Sequence, residues 1–401
     1  MTVTQKELVS RRVLAALPSA TVAIADTASE MRRRGIDVVD FSAGRAAEHT
    51  PEYVIAAAVR ALEAGDTHQT PAAGKPTYRA ACAAKLLRDN GIIADPETEI
   101  IATLGCKQGL TLALLALLDP GDEILVEDPG FVSYVPTIML MGARAMPVPL
   151  RMENRFRWDM NELARAIGPR TRAILLCSPH NPTGVVHTRE DLAQIAALAC
   201  RHNLTVISDE IYERITWNGR RHVGIATLPG MAERTVTLMG LTKSFSMGGW
   251  RIGFAFASPS IVSAMVTLQQ HLMTCAGSFT QAGALVALEA GATPEVQALW
   301  DDWERRCRFM TEAIDQLPGT SCAMPEGGFY AWANIRGLGI SSAELSKRLI
   351  RDYAVAVVPG SAFGDHGEGY LRLTCVRSWS ELSRGIACLK EAFGQLVSTT
   401  R

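Results

Sequence analysis

Residues 172–212 read "RAILLCSPHNPTGVVHTREDLAQIAALACRHNLTVISDEIY". An apolar run without alternation leads into a turn punctuated by proline and glycine. A stretch with apolar residues at helical spacing follows, and then a second apolar run. Strands buried on both faces read this way, because neither face needs polar residues. Strand, turn, helix and strand in that order make a unit whose two strands lie parallel in one sheet.

The same alternation extends outward. "EIIATLG" (99–105) leads into "KQGLTLALLALL", "DEILVED" (122–128) into "FVSYVPTIMLMG", and "RTVTLMG" (234–240) is followed by "IGFAFA" (252–257). These runs predict an α/β fold with a mostly parallel sheet flanked by helices. One long helix is expected near 259–291. From about 296 the pattern changes to a long helix, "ALWDDWERRCRFMTEAIDQL", the strand candidates "GGFYAWANI" and "VAVVPG", and a last helix, "SELSRGIACLKEAFGQLV". The expected organisation is a large domain over 46–295, a smaller α+β domain over 296–401, and an N-terminal segment, 1–45, contributing to the smaller one.

Composition bounds the function. The chain has 401 residues, 48% apolar and 20% charged, with a formal net charge of −1. That balance offers no basic field for nucleic acid. The N-terminus carries Glu7 and no uninterrupted apolar core, and the run "LTLALLALL" is too short to cross a bilayer. Nine cysteines are scattered without a CxxC pair, and the histidines are equally dispersed. This usage fits reduced thiols in a cytoplasm and no metal site.

In parallel sheets, functional groups emerge at the carboxyl ends of strands. Four such places stand out. "TLGCKQG" (103–109) turns at Gly105 into a helix start, and free backbone N–H groups there suit a phosphate. "SPHNPTG" (178–184) holds Asn181 between two prolines that stiffen the turn. "SDEIY" (208–212) ends a buried strand on Asp209, which needs a cation or strong donor beside it. Tyr212 follows as a donor to a phenolate oxygen. "GLTKSFSMGGWRIG" (240–253) crowds Lys243 among apolar and glycine residues, the setting of an amine that forms Schiff bases, and places Arg251 to hold an anion. Asn181, Asp209 and Lys243 are 28 and 34 residues apart, about one strand–helix repeat each. Partners for a phosphate, a ring oxygen, a ring nitrogen and an aldehyde together describe pyridoxal 5′-phosphate.

With these motifs in place, the sequence resembles the fold-type I pyridoxal-phosphate enzymes of the class I/II aminotransferase family, from "IDVVDFSAG" to "YLRLTCVRS". The resemblance implies an exchange of an amino group between an L-amino acid and a 2-oxo acid. Lys243 would form the Schiff base and shuttle a proton, and Asp209 would keep the ring nitrogen protonated. Asn181 and Tyr212 would bond the ring oxygen. Gly105, Cys106, Lys107, Thr242 and Arg251 would hold the phosphate. Phe131, in "EDPGFVSY", would stack on the ring. Arg372, in "YLRLT" after "VVPGSAFG", would grip the substrate carboxylate, assisted by Gly44, with Asn181 and Arg45 nearby. A homodimer is implied, in which Gln69 would reach the partner's phosphate.

The sequence also departs from the family. Gln69 stands where tyrosine is usual, Gly240 where serine is frequent, and Arg45-Ala46-Ala47-Glu48-His49 where Glu/Gln-Pro is usual. These changes raise a second possibility on the same cofactor, namely elimination, cyclisation or carbon–carbon bond formation. They leave open whether Arg45, His49, His68 or Lys107 meets a charged substrate.

Overall fold

The structure is a computed structural model that describes residues 9–399 apart from Leu17. Residues 1–8 of the expected N-terminal segment therefore lie outside the described residues. The chain opens with α1 (Arg11–Ala15), α2 (Ala20–Arg33), β1 (Val39–Asp40), α3 (Glu52–Glu63) and α4 (Pro76–Lys85). Next come β2 (Ile100–Thr103), α5 (Cys106–Leu117), β3 (Glu123–Asp128), α6 (Tyr134–Leu140), β4 (Arg144–Pro149), α7 (Met160–Ala166), β5 (Thr171–Cys177), α8 (Arg189–Arg201) and β6 (Thr205–Asp209). They continue into β7 (Thr235–Gly240), β8 (Gly253–Phe256), α9 (Pro259–Leu272), α10 (Ser278–Ala290) and α11 (Pro294–Asp315). The chain closes with β9 (Tyr330–Asn334), α12 (Ser342–Tyr353), β10 (Val355–Ala356), β11 (Val358–Pro359), β12 (Tyr370–Thr374) and α13 (Trp379–Thr399).

The central sheet has seven strands in the order β2-β8-β7-β6-β5-β3-β4. Every neighbouring pair is parallel except those of β8, which runs antiparallel to both β2 and β7. Both faces are covered. Along β3, Ile124 and Val126 face one apolar cluster with Leu110 and Ile138, while Leu125 faces another with Leu192 and Ile195. The full burial of β3 and β5 explains their lack of polar alternation.

Two smaller sheets lie outside this layer. β11, β12 and β9 form an antiparallel trio, and β1 pairs in parallel with β10. The stretch "VAVVPG" is thus two short strands in different sheets rather than one. Around them pack α11 to α13, with Trp303 of α11 fully buried.

Two readings of the sequence are corrected. The long helix expected near 259–291 is broken into α9 and α10 by Thr274, at φ 70°, and by Gly277, which caps α10. Strand β4, "RAMPVP", escaped sequence reading because of its prolines. It lies at the sheet edge and pairs only with β3, where a missing N–H is tolerated.

Candidate active site

The parallel strands of the central sheet bring their carboxyl ends to one edge. There β2 runs into Gly105, β5 into Asn181, β6 ends on Asp209, and β7 leads to Lys243. Strand β8 runs the other way, so its start lies at this same edge and carries Arg251 just before it. A cavity of about 490 Å³ opens there, closed on the far side by Tyr330, Arg372 and one flank of α2 through Thr21, Val22 and Ala25.

Asp209 sits at the cavity floor, 8% exposed. Burial raises its carboxyl to about 6, against hydrogen bonds from Tyr134 and the Ile211 backbone that favour the charged form. The Tyr134 hydroxyl donates to Oδ2 at 2.8 Å and the Ile211 N–H to Oδ1 at 3.2 Å. An acid raised in this way gains from a cationic partner in the cavity. Lys243 donates from Nζ to the Gly44 carbonyl and stands 5.8 Å from the rings of both Tyr212 and Phe329.

Asn181 and Arg372 are joined. Arg372 Nη1 donates to Asn181 Oδ1 at 3.1 Å and Nη2 to the Ser42 carbonyl at 2.9 Å. Its guanidinium lies 4.2 Å from the Tyr330 ring centre and 4.9 Å from that of Phe363. Arg372 is 2% exposed, its Nε has no partner, and it forms no ion pair among the described residues. A buried guanidinium without a counter-ion is costly unless an anion meets it.

The phenols of Tyr212 and Tyr330 lie 2.9 Å apart. Burial pushes Tyr212 well above its ordinary value. For Tyr330 burial acts in the same direction, but Lys243, Arg372 and the Tyr212 bond outweigh it and bring that phenol below its ordinary value. Gly44 is tightly placed, since a Cβ there would stand 2.3 Å from the Tyr330 hydroxyl.

At the other end, Gly105 adopts φ 83° and caps the twelve-residue α5. A Cβ on Gly105 would stand 3.0 Å from Arg251 Nη2, which itself donates to the Leu104 carbonyl at 3.0 Å. Cys106 and Lys107 occupy the first turn, with the Lys107 ammonium 5.5 Å from the Phe131 ring centre. Partial desolvation, then Arg251 and Lys243, lower the Lys107 ammonium from its ordinary value. Phe131 meets Tyr134 edge to face at 5.4 Å, and Thr242 also lines the cavity.

Two residues fall elsewhere. Gln69 is exposed and lines no part of this cavity. Arg45 is exposed in an adjoining groove, and His49 and His68 are exposed as well. Tyr134 and Tyr330 are additions from the structure. Tyr134 is the last residue of the quoted "EDPGFVSY", but nothing in the sequence ties it to Asp209. Tyr330 reads simply as a strand aromatic.

Behind the cavity lies a buried polar cluster. Glu127, at the end of β3, accepts from the Cys177 backbone N–H at 3.0 Å and lies 3.4 Å from a ring nitrogen of both His180 and His187. Burial holds His180 below its ordinary value despite the pull of Glu127. The cluster braces the turn that presents Asn181.

The charged side chains lining the cavity are Lys107, Lys243, Arg251, Arg372 and Asp209. Four cations against one carboxylate leave an excess of about three positive charges, which a phosphate dianion and one carboxylate would match. Among the described residues no cluster of His, Cys, Asp or Glu could hold a metal, and no helix is long and apolar enough to cross a membrane. The residues present therefore fit pyridoxal phosphate: cations and backbone N–H groups at one end, a raised acid at the ring, and an amine between.

Comparison with known proteins agrees. The family model for aminotransferase class I and II matches residues 36–388. An aromatic-amino-acid aminotransferase of Thermococcus litoralis is 38% identical over 365 residues, covering 89% of this chain and 94% of its own. An aspartate aminotransferase of Pyrococcus abyssi is 37% identical over 370 residues, 92% of this chain and 94% of its own. Among solved structures, the aspartate aminotransferase of Thermus thermophilus with maleate superposes with a TM-score of 0.91 at 36% identity, covering 96% of this chain and 99% of its own. The chain belongs to the class I and II aminotransferase family, and it is a pyridoxal-phosphate-dependent aminotransferase of fold type I acting on amino and oxo acids.

Proposed function

We propose that this enzyme exchanges the amino group of an L-amino acid with a 2-oxo acid at the cavity between Lys243 and Arg372. The observation that carries this reading is the convergence on one cavity of an amine, a raised acid and a guanidinium without a counter-ion. When bound, pyridoxal phosphate supplies an aldehyde and an electron-withdrawing ring that stabilises charge at the substrate Cα. Lys243 holds the aldehyde end and moves the proton at Cα. Asp209, oriented by Tyr134, holds the proton on the ring nitrogen. Asn181 and Tyr212 donate to the ring oxygen, and Phe131 covers one ring face. Gly105, Cys106, Lys107, Thr242 and Arg251 form the phosphate cradle. Arg372 grips the substrate carboxylate in a bidentate fork beside Gly44.

With Lys107 given to the phosphate, the part of the wall that α2 contributes beside the side chain, Thr21, Val22 and Ala25, is uncharged. Amino acids with uncharged side chains are therefore expected to lead. The test is a panel of aliphatic, aromatic, acidic and basic L-amino acids with the cofactor and a 2-oxo acid acceptor. If no new 2-oxo acid forms with any of them, the reading is wrong.

A groove beside the cavity supports the reading of a homodimer. It measures about 1190 Å³, shares Gly44, Thr242 and Lys243 with the cavity, and exposes Val59, Leu62 and Phe279. Arg45 lines this groove, so a role for it in substrate binding would be played where two copies meet. Gln69, outside its own protomer's cavity, is the residue assigned to reach the partner's phosphate. Sedimentation at a mass near that of one chain would exclude the arrangement. All nine cysteines are free, in keeping with a cytoplasmic location that cell fractionation can check. Residues 46–295 form the larger domain in this reading, and 296–401 with the N-terminal segment the smaller. The β1–β10 pairing supports that division.

A further inference from the structure

Position 240, the last residue of β7, lies under the first turn of α5. A Cβ on Gly253 would stand 3.2 Å from the Gly105 Cα and 3.4 Å from the Gly240 Cα, so three glycine backbones meet beneath the phosphate cradle. Gly253 is dictated by backbone, since its Cβ would also stand 2.6 Å from the Met239 carbonyl. Gly240 is different. Its φ lies outside the left-handed region and so does not demand glycine. What crowds a Cβ there is side chains, Ile211 Cδ1 at 2.9 Å and Cys106 Sγ at 3.2 Å, while the Ile252 carbonyl at 3.6 Å is in ordinary contact. The isoleucine tip is the free end of a flexible chain, whereas the thiol turns about a single bond and also lines the cofactor cavity.

We propose that Cys106 and Gly240 are a matched pair that sets how tightly the cofactor phosphate is held: the thiol fills the space a side chain on residue 240 needs, so β7 offers the phosphate no hydroxyl. The inference rests on the reading that Gly105 and Arg251 cradle that phosphate. A thiol is a weak donor. Burial, followed by the nearby Asp209, pushes the Cys106 thiol well above its ordinary value, so it remains neutral and cannot be mistaken for an anion in the cradle. The cradle then depends on backbone N–H groups, Thr242, Arg251 and Lys107 more heavily than one with a hydroxyl at residue 240.

The experiment is a titration of cofactor-free protein with pyridoxal phosphate, and separately with phosphate-free pyridoxal, followed by visible absorbance. The variants are Cys106→Ser, Gly240→Ser, Cys106→Ala, Cys106→Ala/Gly240→Ser and Arg251→Gln. Gly240→Ser alone should leave pyridoxal phosphate affinity unchanged or weaken it. The same serine added to Cys106→Ala should tighten it about ten-fold, the value of one hydrogen bond to a charged group. Cys106→Ser, which places a hydroxyl where the thiol stood and keeps position 240 untouched, should tighten it in the same sense. None of these gains should appear with pyridoxal. Equal effects of Gly240→Ser in both backgrounds would overturn the pairing, as would a gain shared by pyridoxal. An Arg251→Gln variant that binds both ligands as the parent does would instead remove the cradle reading itself.

Discussion

Replacing Asp209 by asparagine separates the cost of this carboxylate from its use. In the cofactor-free protein the carboxyl is raised from an ordinary 3.8 to about 6, chiefly by burial. The folded protein then holds this proton more tightly than the unfolded chain does. Stability is therefore unaffected below the ordinary value and declines as pH rises toward 6. Above that it is lower by roughly 3 kcal/mol, at about 1.4 kcal/mol per pKa unit. Asparagine cannot ionise, so the variant escapes this decline. Its one amide oxygen can still accept from the Ile211 N–H, while its NH₂ faces the Tyr134 hydroxyl, which must turn to accept; the cost of that change is fixed and the same at every pH. The assay is denaturant unfolding of both cofactor-free proteins at one protein concentration, near pH 4.5 and near pH 8. The stability difference between variant and parent should move in the variant's favour by roughly 2 kcal/mol between those two conditions. Other titrating groups are common to both proteins and cancel. A difference that stays constant with pH, or that moves toward the parent, would refute the placement of a raised acid at residue 209. With cofactor added the order should reverse, the parent alone gaining a cationic partner for its carboxylate.

Four further outcomes are expected. Lys243→Ala should abolish the visible absorbance that marks covalent attachment of the cofactor, and an unchanged spectrum would remove Lys243 from its role. Arg372→Lys loses the planar fork while keeping the charge, so KM for the amino acid should rise about ten- to a hundred-fold with a smaller change in kcat; steady-state kinetics with an unchanged KM would contradict it. Gly44→Ala places a Cβ 2.3 Å from the Tyr330 hydroxyl and must break that phenol's bond to Tyr212. About 1–3 kcal/mol of stability should be lost, read by thermal unfolding, together with activity. Glu127→Gln replaces the buried carboxylate that lies between His180 and His187 by an amide while leaving an acceptor for the Cys177 N–H; a loss of about 1–3 kcal/mol in denaturant unfolding is expected, and none at all would show that the carboxylate contributes nothing to the brace.

The strands were legible because burial on both faces writes an unbroken apolar run, as in "AILLC" and "EILVED". Asp209, Asn181 and Lys243 were legible for a related reason: polar residues directly after such runs mark strand ends. Where a residue's role depends on a distant element, the sequence is silent. Tyr134 acts on Asp209 from α6, 75 residues earlier, and Tyr330 meets Tyr212 across 118 residues. Neither spacing has a period. The α9–α10 break hangs on Thr274, a residue with no strong preference for the left-handed region it adopts. Gln69 cannot be placed by any reading of one copy, because its expected target lies on another.

The reversal of β8 reaches beyond the order of the sheet. Strands β7 and β8 are adjacent and antiparallel, so residues 241–252 form one connection that both leaves and re-enters the active edge. Lys243 stands near its start and Arg251 near its end. The span between the aldehyde end and the phosphate end of the cofactor is thus gauged by a dozen consecutive residues, not by the docking of distant segments. That connection works as a ruler, and one residue inserted within it would spoil the alignment of both groups while leaving every strand in register.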